Sequence, residues 1–116
     1  MSERSFGFTG EQAAAEYLIK NGYFIRERNF IAAKKEVDII AEKDGFLVFV
    51  EVKLRREGTD YSGLEAVNSY KAENIRTAAK IYLTYFPFIE LQFRFDVMEI
   101  IFSDGKIKIT HIENAF

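Results

Sequence analysis

The chain has 116 residues, 48% of them hydrophobic, a formal net charge of -2, 12 Phe, 6 Tyr and no cysteine. That length supports one domain, residues 1–116, with its own core. The missing cysteine excludes a disulfide scaffold, a thiolate zinc site and a cysteine nucleophile. No apolar run approaches the roughly 20 residues that a membrane helix needs. The N-terminal MSERSFGFTGEQ has no apolar signal core. The expectation is a soluble, cytoplasmic protein.

Thr9 and Gln12 form the capping box Thr-x-x-Gln ahead of an Ala-rich stretch. A helix is predicted from Gly10 to Asn21, closed by Asn21-Gly22. Glu11, Ala15 and Leu18 share one of its faces, which puts Glu11 at the top of a buried stripe. Tyr23 to Phe30 reads as a strand, Glu36 to Ala41 as a second and Phe46 to Lys53 as a third. Lys43-Asp44-Gly45 separates the last two, and Asp-Gly marks a tight primed turn. Leu54 to Glu65 is polar and reads as a mobile loop. Helical spacing returns from Ser69 to Phe86, where Ile75, Ala78, Ala79, Tyr82 and Leu83 share a face, and Pro87 ends it. Phe88 to Phe102 alternates like a long strand. Asp104-Gly105 turns the chain into a last strand, Lys106 to Ile112. The order αβββαββ predicts an α/β fold, a mixed sheet flanked by helices.

The charges inside the strands carry the chemistry. With Asp44-Gly45 as a two-residue turn, Lys43 pairs with Phe46, Ile40 faces Phe49, Asp38 faces Glu51 and Glu36 faces Lys53. These side chains point to one side, because strand side chains alternate. Val37 with Val52, Ile39 with Val50 and Ala41 with Val48 form a wholly apolar reverse side. Directly opposed side chains lie about 4.5–5.5 Å apart at Cβ. Carboxylates that close repel, and one is forced to keep a proton unless a cation sits between them. Oxygen-only ligation suits Mg²⁺ or Mn²⁺ better than Zn²⁺. Such an ion polarises a phosphoryl oxygen and acidifies a bound water, and Lys53 can reach that water or the developing charge. The alternative is structural: a Glu36–Lys53 ion pair, with Asp38 and Glu51 on a solvated sheet face.

Asp38 followed by Glu51-Val52-Lys53 resembles the PD-(D/E)xK nuclease signature. GEQAAAEYL, NGYFIRERNF, EVDIIAEKDGFLVFVEVK, KAENIRTAAKIYL, FRFDV and HIENAF, in that order, resemble the UPF0102 (YraN-like) family of small bacterial proteins over nearly the whole chain. That family is similar to archaeal Holliday-junction resolvases and restriction enzymes. The resemblance implies a restriction-endonuclease-like fold and a Mg²⁺-dependent nuclease site at Asp38, Glu51 and Lys53. Glu11 would be a further metal carboxylate or a first-turn acid favouring the helix dipole. Two positions depart from the pattern: Lys35 stands where the family usually has Gly, and Val37 replaces the proline of the motif name.

Basic residues crowd the first half of the chain and form a strip suited to phosphates. Lys35, Arg55, Arg56 and Lys71 are the candidate nucleic-acid contacts, and Glu36 is a supporting acid. Lys71, Asn74 and Lys80 are otherwise read as the solvent side of the second helix. Arg94 and Asp96 read as an internal ion pair, His111 as a surface or packing residue, and Phe93, Phe95 and Phe102 as core. The leading function is a metal-dependent endonuclease acting on nucleic acid, DNA in the first place, in branched or processed form. Junction cutting would need two sites and hence a homodimer. The alternatives are a nucleic-acid-binding module that keeps the fold but cuts poorly, and a non-catalytic assembly protein.

Overall fold

A computed structural model of the chain describes residues 3–58, 69–86 and 90–116. The elements follow the expected order: α1 (Glu3–Lys20), β1 (Phe24–Ala32), β2 (Lys35–Lys43), β3 (Phe46–Arg56), α2 (Ser69–Tyr85), β4 (Gln92–Ser103) and β5 (Lys106–Ile112). Strands β1 to β5 form one five-stranded sheet in sequence order. Only the β3–β4 pair is parallel, and α2 makes that crossover. The sheet is therefore mixed and the protein α/β.

β3 is the central strand of the site. Leu47, Val48, Phe49 and Val50 are all 0% exposed, so both faces of the strand are covered. Ala14, Ala15 and Leu18 of α1 pack on Ile39, Ala41, Val48, Val50 and Val52. Ile75, Ala78, Ala79 and Tyr82 of α2 pack on Val37, Ile40, Leu47 and Phe49. Each fully buried Ile, Leu or Phe contributes roughly 1.5–3 kcal/mol, so these two clusters clamp the sheet between the helices. α1 approaches β3 closely at Gly10, where a Cβ would collide with the Leu54 side chain. The C-terminus of α1 closes with paired turn bonds, Tyr23 N to Leu18 O at 2.9 Å and Gly22 N to Ile19 O at 3.0 Å. Gly22 takes the left-handed conformation, φ 89°, that this closure requires.

Several expectations are corrected. α1 begins at Glu3, so Thr9 and Gln12 lie inside the helix and form no capping box. Gln12 instead donates to Glu16 Oε1 and accepts from Arg28. β3 continues to Arg56, so Leu54, Arg55 and Arg56 are strand residues. The rest of the expected loop, from Thr59 to Glu65, lies outside the described residues, as does Pro87. Phe93 is 49% exposed and does not belong to the core. Val37 joins the α2-side cluster, apart from its expected neighbours Ile39 and Val52.

Asp44-Gly45 turns with positive φ at both residues, 50° and 83°, and Asp104-Gly105 does the same. The β1–β2 hairpin turns at Ala33 and Lys34, which also hold positive φ, 51° and 62°. A left-handed L-residue costs roughly 1–2 kcal/mol, and Asn-Gly is the pair best suited to this turn. The double change Ala33→Asn with Lys34→Gly is expected to add about 0.5–1 kcal/mol and raise Tm by about 2–5 °C. A thermal melt followed by circular dichroism checks this, and an unchanged or lower Tm contradicts it.

Candidate active site

The β2–β3 register runs from Lys43↔Phe46 to Ile39↔Val50, the register expected from the Asp-Gly turn. The ladder stops there, one pair before Asp38 and Glu51. The Val52 N–H donates to Asp38 Oδ2 at 2.8 Å. A carboxylate has taken the place of a strand carbonyl, and the two strands part at this point.

The parting goes with a rotation of both neighbouring strands. Phe30 pairs with Val37 and Arg28 with Ile39, so β1 follows β2 in continuous register here. Yet Phe30 packs on Tyr82 of α2, with ring centroids 5.2 Å apart, while Arg28 bonds Gln12 of α1. Between them, Asn29 holds φ at 52°. With its amide nitrogen turned inward, Asn29 donates to Glu36 Oε1 and Glu11 Oε2, each at 3.3 Å. The strained residue thus ties the α1 acid to the β2 acid.

The result is a cleft of about 370 Å³ lined by Lys34, Lys35, Glu36, Asp38, Glu51 and residues of α2. Its volume falls within the usual range of ligand sites. Glu51 is 4% exposed. Its Oε1 receives Lys71 Nζ at 2.6 Å and Lys53 Nζ at 3.2 Å. Burial and the nearby charge of Glu51 push the Asp38 carboxyl up to about 8. Burial and the Glu36 charge likewise raise Glu11, against the opposing pull of Arg28 and Asn29. Burial and the adjoining Lys71 lower the Lys53 ammonium, although Glu51 opposes this. Burial opposes charge on Lys71 as well, but its bond to Glu51 prevails and raises it.

The cleft gathers Lys35, Glu36, Asp38, Glu51 and Lys71, with Lys53 bonded to Glu51 and Glu11 tied in through Asn29. Lys53 therefore pairs along its own strand with Glu51. Lys71 and Asn74 line the cleft, contrary to their reading as solvent-facing helix residues. Lys71 stands one helical turn before the buried Ile75, and that spacing was the available signal. Arg55 is held by Glu99, Nε to Oε1 3.3 Å. Arg56 lines a different hollow of about 560 Å³ beside Thr9, Phe102 and Ile107. That hollow is larger but shares no residue with the acid–lysine cleft.

The donor set fits a hard cation. Asp38 and Glu51 offer carboxylate oxygens; burial first and the Glu51 charge second raise Asp38, and a divalent ion would offset the charge between them. Among the described residues no three acidic or histidine side chains converge on one point. In this arrangement the ammonium groups of Lys71 and Lys53 hold Glu51 instead.

A second buried network lies on β4 and β5. Asp96 is 0% exposed. It accepts from Arg94 twice at 2.9 Å and from Asn114 N at 3.0 Å, and its Oδ2 lies 2.7 Å from His111 Nε2. Burial opposes its ionisation, yet these partners hold the carboxyl below its ordinary value. The Arg94–Asp96 pair is thus internal, as expected. His111 is a half-buried packing residue, its ring meeting Tyr17 and Tyr23. The network anchors the C-terminal tail to β4.

Fold and site together define a small α/β protein with an acid–lysine cleft where β2 and β3 part beneath α2. The model of the uncharacterised protein family UPF0102 matches residues 10–100. A UPF0102 protein of Syntrophomonas wolfei is 48% identical, covering 97% of this chain and 98% of its own. One from Clostridium acetobutylicum is 44% identical over 95% and 92%, and one from Caldanaerobacter subterraneus is 38% identical over 100% and 98%. The chain belongs to the UPF0102 family. No helix among the described residues is long and apolar enough to cross a membrane.

Asp38 keeps its proton to a higher pH folded than unfolded, where its ordinary value is 3.8. The folded state therefore binds more protons, and stability from this group falls as pH rises from about 3.8 toward about 8. Asp38→Asn keeps the acceptor for Val52 and removes the titration. In metal-free buffer, the Tm of wild type minus that of Asp38→Asn is expected to drop between pH 5 and pH 8. A difference that stays flat over that window contradicts the crowding of the acids.

Proposed function

We propose that this protein is a Mg²⁺- or Mn²⁺-dependent nuclease that hydrolyses phosphodiester bonds of nucleic acid, DNA in the first place. The observation that carries the reading is the buried Glu51 carboxylate, bonded to Lys53 and set beside a proton-retaining Asp38 in an open cleft. The likeness of Asp38 and Glu51-Val52-Lys53 to the PD-(D/E)xK signature, and through it to archaeal Holliday-junction resolvases and restriction enzymes, supports the same assignment.

Asp38 and Glu51 would hold the ion, and Glu11 is a further carboxylate within the same cluster of charge. When bound, the ion supplies Lewis-acid polarisation of the phosphoryl oxygen and acidifies water. Lys53 is half-buried with a lowered pKa. Its ammonium can orient the attacking water and stabilise the charge that develops on the phosphoryl oxygens. Lys34, Lys35 and Lys71 line the cleft mouth, where their charges meet substrate phosphates. Glu36 supports the site through Asn29. Cutting both strands of a junction would take a homodimer that brings two such clefts together.

Cleavage of a panel of DNA and RNA substrates, single-stranded, duplex, flapped and branched, tests the assignment in Mg²⁺ or Mn²⁺. Asp38→Ala and Lys53→Ala are each expected to lower the rate by roughly 10²-fold or more. Cleavage that survives both changes contradicts the assignment. By calorimetry, Glu51→Ala is expected to lose Mn²⁺ binding, and unchanged binding counts against Glu51 as a ligand.

A further inference from the structure

The reading above leaves the aromatic side chain of the cleft, Tyr70, without a role. Tyr70, on the first turn of α2, lines the cleft together with Asp38 and Glu51. It is 76% exposed, the most exposed of the large apolar or aromatic side chains among the described residues. Among the other described tyrosines, Tyr82 is 1% and Tyr23 7% exposed, while Tyr85 at the far end of the same helix is 66% exposed but lines no part of the cleft. The next residue, Lys71, bonds Glu51. An aromatic ring thus stands in water within one residue of the acid–lysine centre. Across the cleft-lining Glu36, the paired residue Ile31 is also 66% exposed.

We propose that Tyr70 is a stacking platform for an unpaired nucleobase, so that the cleft takes a nucleic-acid strand locally free of its complement. The inference rests on the nuclease reading for the identity of the ligand. The chemistry is general. A base in a duplex hides its faces in the stack, so an exposed ring can gain a face only from a single strand, a flap or a splayed nucleotide. The cationic rim of Lys34 and Lys35 attends to the phosphates of the same strand. The cleft volume of about 370 Å³ lies in the range of small-ligand sites, enough for a single splayed-out nucleotide.

Binding without cleavage isolates the subsite. A fluorescein-labelled 12-mer of oligothymidylate and a 12-base-pair duplex are titrated in EDTA with wild type, Tyr70→Ala, Tyr70→Phe and Tyr70→Trp. Base–aromatic stacking predicts that Tyr70→Ala weakens the single strand by about 5- to 150-fold. The duplex should change less than about two-fold, and Tyr70→Phe and Tyr70→Trp should bind like wild type. The chain has no tryptophan, so Tyr70→Trp also creates a single indole reporter. Its emission should be quenched by oligothymidylate and not by inorganic phosphate. Equal losses on single strand and duplex, a Tyr70→Phe loss as large as that of Tyr70→Ala, or an unquenched indole each overturn the platform. Circular dichroism melts confirm that the variants fold. Single-strand preference without any metal-dependent cleavage keeps the platform and sinks the hydrolase. Cleavage abolished by Asp38→Ala but untouched by Tyr70→Ala, on single strand and duplex alike, keeps the hydrolase and sinks the platform.

Discussion

The buried carboxylate of Glu51 is the constraint around which the site is arranged. It sits 4% exposed on the central strand of the site, where an uncompensated charge is costly. Two ammonium groups, from Lys53 on its own strand and Lys71 on α2, make that position tolerable. Asp38 stands close enough for the Glu51 charge to help keep its proton. The site is therefore charged beyond what folding alone asks for. Replacing such a group of ions with well-packed apolar residues is often neutral or stabilising in other proteins, which accords with the proposed function.

The fold supplies the opening. A regular ladder would have carried β2 and β3 side by side to their ends, with the acids locked in cross-strand pairs. Instead the ladder ends at Ile39↔Val50, and the Asp38 side chain satisfies the Val52 amide. Asn29, held at φ 52°, lets β1 rotate in step and links Glu11 with Glu36. The two helix-backed clusters keep the rest of the sheet rigid while this end parts. The Asp96 network, remote in chemistry, fixes the tail against β4.

Much of this was legible from residue patterns, and the exceptions have physical causes. Asp44-Gly45 and Asp104-Gly105 announce their turns because both positions need positive φ. Their register therefore follows by counting, as far as Ile39↔Val50. Ala33-Lys34 makes the same kind of turn without Gly or Asn, so the hairpin between β1 and β2 left no local signal. Alternation assigned Val37 to the wrong face because the strand rotates at Asn29 and Asp38, and no propensity encodes that rotation. The charged triad Asp38, Glu51 and Lys53 was visible as polar residues inside apolar strands. Lys71 was harder: only its phase relative to Ile75 set it toward the cleft, and a lysine at a helix start is usually solvated. Glu11 showed its partial burial through the stripe it shares with Ala15 and Leu18.

The central claim is that Asp38 and Glu51 crowd each other enough to hold a proton and to invite a divalent ion. The most direct measurement is a carboxyl-carbon NMR titration of Asp38 in metal-free protein, repeated with Mg²⁺ and in Glu51→Gln. The account predicts a midpoint far above the ordinary 3.8, toward about 8, that falls when Mg²⁺ is added or the Glu51 charge is removed. A midpoint near 3.8 in all three samples would contradict it.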